Sequence, residues 1–444
     1  MYSEKIRSLL EEKGVSKGDR VRVEDGDSTY EGILMPRSKA GNNDCIVIKL
    51  DNGYNIGIES ESVDIKKIEE GKSEKKEEKS EPVEDADIAI LHTGGTIASK
   101  VSYSEGGVVS KFSPQEIMDM YPELDDIASI RSKLISQMLS EDMEFAHYKR
   151  IAEEVQEQIE DGVEGVIISH GTDTMHYTSA ALSFVLKNVP VPVILVGSQR
   201  SSDRPSSDAA MNLISAARFI KETEFGGVGI CMHGSSSDNY CYIHQGTRAR
   251  KMHTSRRDTF QTIGTSPVAK VNYPDGEIEF LQEVKKNSGE FEVSKDFENK
   301  VALVKMHPGM DPEIIEFYRD KEYKGIIIEG TGLGHAPVNP TELGEKKHEK
   351  LLESLKRFIE EEGIVAMTTQ CLNGRVNMNV YETGRKLERI GVISGENMLS
   401  ETAFVKLAWC LGNTDSREEA IEVFKENQAG EILEREKHDD FESE

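Results

Sequence analysis

Hydrophobic and polar positions along the chain fall into three regimes. Up to residue 68 the apolar residues come in short, β-branched groups: VRVE, YEGILM, CIVIKL and YNIGIE are separated by EDGD, KAGNND and DNG. Such groups, bounded by Asp, Asn and Gly, predict strands joined by tight turns. Four or five strands in about fifty residues point to a small closed barrel. An amphipathic helix from Ser3 to Lys13, stopped by Gly14, is expected ahead of them. From residue 69 the pattern lapses. EEGKSEKKEEKSEPVED (69–85) has eight acidic and four basic residues and only Val83 as a sizeable apolar side chain. Too little surface can be buried there to offset chain ordering, and a flexible linker is expected.

The third regime begins at residue 87. Continuous apolar runs, IAILH (88–92), VEGVIIS (163–169), VPVILVG (191–197), VGICMHG (228–234), VALVKM (301–306), KGIIIEG (324–330) and IVAMTTQ (364–370), suit strands buried on both faces of a parallel sheet. Helical patterns intervene, among them TSAALSFVLKN, DAAMNLISAARFIKE and EKKHEKLLESLKRFIEEEG. The expected architecture is a doubly wound, mostly parallel α/β sheet preceded by a small all-β barrel, with ligands collecting at the carboxyl ends of the strands. The domains predicted are 1–68 (barrel), 69–86 (linker), 87–425 (α/β) and an acidic tail over 426–444.

Composition narrows the class of function. The 444 residues carry 54 Lys+Arg against 81 Asp+Glu, a net charge of −27. A surface of that sign repels nucleic acid and anionic lipid, so no phosphate-binding footprint extends over the whole molecule. Five cysteines form no C-x-x-C pair and read as reduced thiols. The charged N-terminus is no signal peptide, and no apolar run is long enough to span a bilayer. A cytoplasmic protein without membrane contact is expected.

Chemistry concentrates at two strand exits and one basic segment. IAILH runs into Thr93-Gly94-Gly95-Thr96-Ile97-Ala98, where two glycines allow a tight bend that presents the Thr96 hydroxyl. The turn fits neither a Walker P-loop nor a dinucleotide fingerprint. VIIS runs into His170-Gly171-Thr172-Asp173-Thr174, placing a hydroxyl and a carboxylate at the mouth of a helix. An N-cap is the plain reading of such a Thr-Asp pair, and a lone histidine there suits a structural role better than a metal. The third segment, Arg248 to Phe260, is basic in an acidic chain. It fits an anion or RNA patch, or else one buried lysine acting as a base.

Taken together, T-G-G-T-I-A, H-G-T-D-T about seventy residues later and K-x6-D-x-F downstream resemble the asparaginase/glutaminase family with threonine nucleophiles. The similarity extends over most of residues 87–425 and includes Gly197-Ser198-Gln199-Arg200, Gly330-Thr331-Gly332 and Gln370 to Val376. The resemblance implies two α/β subdomains of asparaginase type. It also implies that Thr96 attacks the side-chain amide carbon, with Tyr103 bonding its hydroxyl. Thr172, Asp173 and Lys251 would be a second triad, in which a lysine kept neutral by burial draws a proton through Thr172. Ser140, Glu141, Gly171 and Ser198 would hold the substrate. Glu141 stands where family members often carry Gln. Which threonine attacks first stays open.

The residues ahead of the first motif, with GDRVRVE, YEGILMPR and IVIKLDNGYNIGI, and GSQRSSDRPSSDAAMN within the α/β domain, extend the resemblance. Over the whole chain it is similar to the family of archaeal glutamyl-tRNA(Gln) amidotransferase D subunits. That resemblance implies glutamine hydrolysis and ammonia supply to a partner, the amidotransferase E subunit, which acts on tRNA(Gln) charged with Glu. ATP and Mg are then expected in the partner and no cofactor in this chain. A homodimer within a heterotetramer is implied as well. The alternative is a free-standing asparaginase or glutaminase with an accessory domain.

Overall fold

The structure, a computed structural model, describes residues 2–26, 28–35, 45–50, 55–59, 63–69, 85–94, 99–102, 107–110, 121–200, 207–284, 289–342 and 346–436. Most of the expected linker (70–84) and the last part of the expected tail (437–444) lie outside them.

The first unit opens with a helix, Glu4–Glu12, capped by the Ser3 hydroxyl, which accepts the amide of Ile6 at 3.4 Å. Its buried stripe, Ile6 and Leu10, meets Val21, Val23, Leu34, Ile46, Ile48, Ile58 and Ile65 from five strands. These are β1 (Arg20–Asp25), β2 (Ser28–Leu34), β3 (Cys45–Lys49), β4 (Asn55–Glu59) and β5 (Val63–Glu69). Every pairing is antiparallel and the order is β4-β3-β2-β1-β5. In β1 the valines turn inward between outward arginines, as a strand with one wet face requires. Among the described residues β4 and β5 are the two edges of this sheet, and no ladder joins them to close a barrel.

The α/β body has two lobes. The first is an eight-stranded sheet in the order β18-β17-β14-β13-β12-β10-β6-β9. Five strands are parallel: β6 (Ile88–Gly94), β9 (Ile130–Met138), β10 (Gly165–Ser169), β12 (Pro192–Val196) and β13 (Gly227–His233). A hairpin of β7 (Ser99–Ser102) and β8 (Gly107–Ser110) precedes β9 in the chain. The two-residue β11 (Leu186–Lys187) pairs with β19 (Glu292–Val293).

Helices cover both faces. Phe145–Glu160 and Met175–Val185 pack over Leu91, Ile168 and Val193, whereas Ala209–Glu222 packs over Ile90, Ile167 and Ile194. Consecutive strand residues thus enter two different cores, which is why these strands are apolar throughout. The doubly wound arrangement follows the sequence expectation. The far edge does not: β14 (Tyr240–Gln245), β17 (Ala269–Asn272) and β18 (Ile278–Phe280) continue the sheet antiparallel. Between them in the chain, β15 (Ala249–Lys251) and β16 (Phe260–Thr262) form a separate two-stranded ribbon.

The second lobe is a parallel sheet of β20 (Val301–Lys305), β21 (Gly325–Gly330), β22 (Ile364–Thr369) and β23 (Ile393–Ser394). Its helix Ser400–Asn413 joins the two lobes: Val405, Leu407 and Ala408 share one core with Leu182 and Phe184 of the first lobe. Packing runs on past residue 425, the domain end read from the sequence. Glu431 is fully buried and pairs with the equally buried Lys406 at 2.5 Å.

Candidate active site

Three parallel strands of the first lobe end side by side, because β10 pairs in register with both β6 and β12. Their exits are cross-braced. The Thr93 hydroxyl donates to Ser169 O at 2.8 Å, and the His92 ring bonds Ser169 Oγ at 2.9 Å and Ser132 Oγ at 2.8 Å. Burial pushes the His92 imidazole down to about 4, so it is neutral at pH 7. At the end of β6, Gly94 has φ +110°, and a Cβ there would stand 2.3 Å from Met138 O. Only glycine can make that turn. Thr96 and Tyr103, the residues expected just beyond it, lie outside the described residues.

Past β10 the chain makes the His170–Thr174 loop and enters the helix Met175–Val185. Short-range bonds fix this loop. His170 donates from Nδ1 to Gly171 O at 2.6 Å, and its Nε2 accepts the Thr178 hydroxyl at 2.8 Å. The ring is buried, which brings it down to about 4 and leaves it neutral. It belongs to the loop's framework. Thr174 donates to Ser140 O at 2.6 Å. Ser140 itself is buried against Gly171, where an added Cβ would lie 2.8 Å from Ser140 Oγ.

Lys251 closes the arrangement from β15. Its Nζ donates to Thr172 Oγ1 at 2.8 Å and to Asp173 Oδ1 at 2.6 Å. The lysine side chain is 10 % exposed and that of Asp173 66 %, so the amine is enclosed while the carboxylate faces out. Three residues singled out in the sequence, 172, 173 and 251, thus meet within hydrogen-bond reach across 78–79 positions of chain. A hydroxyl against an enclosed amine is the pairing by which a threonine can lose its proton.

The remaining candidates divide. Ser198 is fully buried, and its Oγ has no partner among the described residues. Its neighbour Gly197 lies against Thr172, since a Cβ there would stand 2.8 Å from Thr172 Cγ2. Glu141 is exposed at the 3-10 turn Ser140–Asp142.

Several supporting residues were not individually legible. Buried Asp208 accepts the amide of Gln199 with both oxygens at 3.0 Å and that of Arg200 at 3.1 Å, and Asn212 donates to Gly197 O at 3.0 Å. Together they shape the turn that carries Ser198. Both fall within GSQRSSDRPSSDAAMN, which marked the segment but not the bonds these two side chains make. His176 lies near Lys251 and Arg250, with its Nδ1 unpartnered among the described residues; burial, assisted by those charges, pushes it down to about 3. No spacing marked it.

Cations of the basic segment are engaged internally, against the reading of an open anion patch. Arg256 forms a bidentate pair with Asp258 at 2.8 and 2.6 Å, and Arg257 meets Asp238 at 2.6 Å. Arg250 meets Glu401 at 2.6 Å. Arg248 is fully buried among carbonyl oxygens.

Known proteins match this organisation along the whole chain. Residues 15–68 match the family model described as GatD N-terminal domain, 87–286 that of Asparaginase, N-terminal, and 300–424 that of Glutaminase/Asparaginase C-terminal domain. The glutamyl-tRNA(Gln) amidotransferase D subunit of Pyrococcus furiosus is 50 % identical over 439 residues, covering 96 % of this chain and 97 % of that one. Its counterpart from Methanothermobacter thermautotrophicus is 46 % identical over 440 residues, 98 % of each. Among solved structures, the thermostable L-asparaginase from Thermococcus kodakarensis superimposes with a TM-score of 0.68 at 31 % identity. It covers 78 % of this chain and 99 % of its own. The L-asparaginase I from Vibrio cholerae gives 0.68 at 32 %, with 78 % and 98 % covered. With a shared N-terminal unit, both α/β lobes and near-complete coverage, the chain belongs to the family of glutamyl-tRNA(Gln) amidotransferase D subunits.

Proposed function

We propose that this chain is the glutamine-hydrolysing subunit of a tRNA-dependent amidotransferase, and that Thr172, Asp173 and Lys251 belong to its catalytic centre. The observation that carries the reading is the 2.8 Å contact between Lys251 Nζ, nearly enclosed, and Thr172 Oγ1. Lys251 in its neutral form takes a proton by way of the Thr172 hydroxyl. A threonine oxygen adds to the carboxamide carbon, the C–N bond breaks, and the nitrogen leaves with that proton as ammonia. Water then hydrolyses the acyl-enzyme to glutamate. The family resemblance assigns the attack to Thr96 with Tyr103 beside it. Ser140, Glu141, Gly171 and the unpartnered Ser198 Oγ would line the substrate's resting place.

Ammonia freed into neutral water is protonated and loses its nucleophilic lone pair, so the product must pass directly to a second protein. That partner, the amidotransferase E subunit, would activate the glutamate of Glu-tRNA(Gln) with ATP and Mg, within a cytoplasmic heterotetramer built on a homodimer of this chain. Among the described residues no helix is long and apolar enough to cross a membrane.

Co-expression with the candidate partner and measurement of glutamine hydrolysis with and without Glu-tRNA(Gln) tests the reading. Hydrolysis that rises with the charged tRNA is expected. Rapid asparagine turnover by this chain alone, indifferent to tRNA, would instead favour the free-standing amidohydrolase that the likeness to L-asparaginases keeps in view.

A further inference from the structure

Lys251 sits at the end of a three-residue strand in an isolated two-stranded ribbon. Ribbons of that size hold their own position poorly. On its own lobe Ala249 and Phe260 enter the core and Thr262 bonds the His244 ring at 2.9 Å, and the strand that carries Lys251 is gripped from the other lobe as well. Alternation along the strand sends Arg250 away from the side that Lys251 takes. Arg250 Nη1 meets both oxygens of Glu401, at 2.6 and 2.7 Å, in the first turn of the helix Ser400–Asn413. The next residue of that helix, Thr402, donates to Thr247 O at 2.9 Å. Arg248 donates to Asn397 O at 2.7 Å and to Glu431 O at 3.1 Å. Residues 247, 248 and 250 are thus held by the second lobe while Lys251 reaches Thr172 and Asp173 in the first.

We propose that Arg250 and Glu401 are positioning residues for amide hydrolysis: their ion pair fixes the ribbon so that Lys251 Nζ stays within reach of Thr172 Oγ1. The proposal rests on the glutaminase reading above. Its physical basis is that proton transfer tolerates little displacement, and an ångström of drift in a supporting strand reaches the lysine tip directly. The pair acts through Lys251, which alone of the three bonds Thr172 and Asp173.

Four variants of the full chain, assayed together with its partner, test this: Arg250→Gln, Glu401→Gln, their double, and Arg250→Lys. Each single Gln variant is expected to lose roughly tenfold in kcat for glutamine with KM changed less than about twofold. The double should be no worse than either single, because both remove one interaction, and Arg250→Lys should recover part of the loss. Folded variants that keep kcat, or single losses that multiply in the double, would overturn the proposal. A second measurement does not need glutamine. Acetic anhydride should label Lys251 severalfold faster in the Gln variants, read by mass spectrometry of its peptide, and an unchanged labelling rate would also overturn it. Should Arg250→Gln fail to fold, Glu401→Gln and Arg250→Lys supply both readouts. If the wild-type complex does not hydrolyse glutamine, the functional reading fails while the labelling result still decides the positioning.

Discussion

Two short segments deliver the groups that meet at the site, and they are held in opposite ways. The His170–Thr174 loop is braced within its own lobe: His170 bonds Gly171 and Thr178, and Thr174 bonds Ser140 O. The Arg248–Lys251 segment is braced by residues 149–183 positions further on. The first support forms within one lobe, from the flanking strand and helix and the Ser140–Asp142 turn. The second exists only once both lobes have folded against each other. A catalytic pair assembled from one locally and one remotely supported half makes the chemistry depend on the docking of the lobes, whereas the loop alone would not.

The contrast can be broken most severely at Lys251. Lys251→Met removes the enclosed amine, and kcat for glutamine is expected to fall about 10²–10⁴-fold with little change in unfolding midpoint, read by ammonia release and by thermal melting. The remote support is tested at Arg248. Arg248→Leu strands the buried carbonyls of Ile263, Asn397 and Glu431, and should cost about 3 kcal/mol or more in urea unfolding. A cost below that of the local change described last would reverse the contrast.

The buried imidazoles sharpen it through pH. His92 and His170 are held down to about 4 by burial, from an ordinary 6.5. The unfolded chain therefore takes up protons that the folded chain refuses. Stability is complete above pH 6.5 and declines as the pH falls toward 4, by about 1.4 kcal/mol per pH unit for each ring. Urea midpoints at pH 7, 6 and 5 should show the decline, and His92→Gln should make it shallower. The smallest effect is expected from Thr178→Val, which leaves His170 Nε2 unpaired for about 1 kcal/mol. An undiminished midpoint would mean that the loop is braced by something else.

The same contrast explains what could be read from the chain. The buried parallel strands announce themselves, since both faces of β6, β10 and β12 lie in cores and nothing polar interrupts them. The residues of the His170–Thr174 loop were legible for a similar reason: the strand, the turn and the helix that set their geometry are contiguous in sequence. Lys251 came within reach only through resemblance, because nothing within ten residues of it says that a helix starting at Ser400 will press on its strand. The antiparallel edge of the first lobe was missed because β17 and β18 are four and three residues long. Their half-exposed positions blur into loop. Asp208, Asn212 and His176 act on backbone or charge brought near by folding, and no local spacing encodes that.

The buried pair of Lys406 and Glu431 has a temporal meaning. Glu431 is polymerised 180 residues after the lysine that would draw the proton, and its carboxylate on Lys406 sets the same residue's carbonyl against Arg248. A chain halted near residue 425 carries the Arg250–Glu401 pair and the Asn397 carbonyl but not the Glu431 carbonyl, so Arg248 would be held at one point fewer.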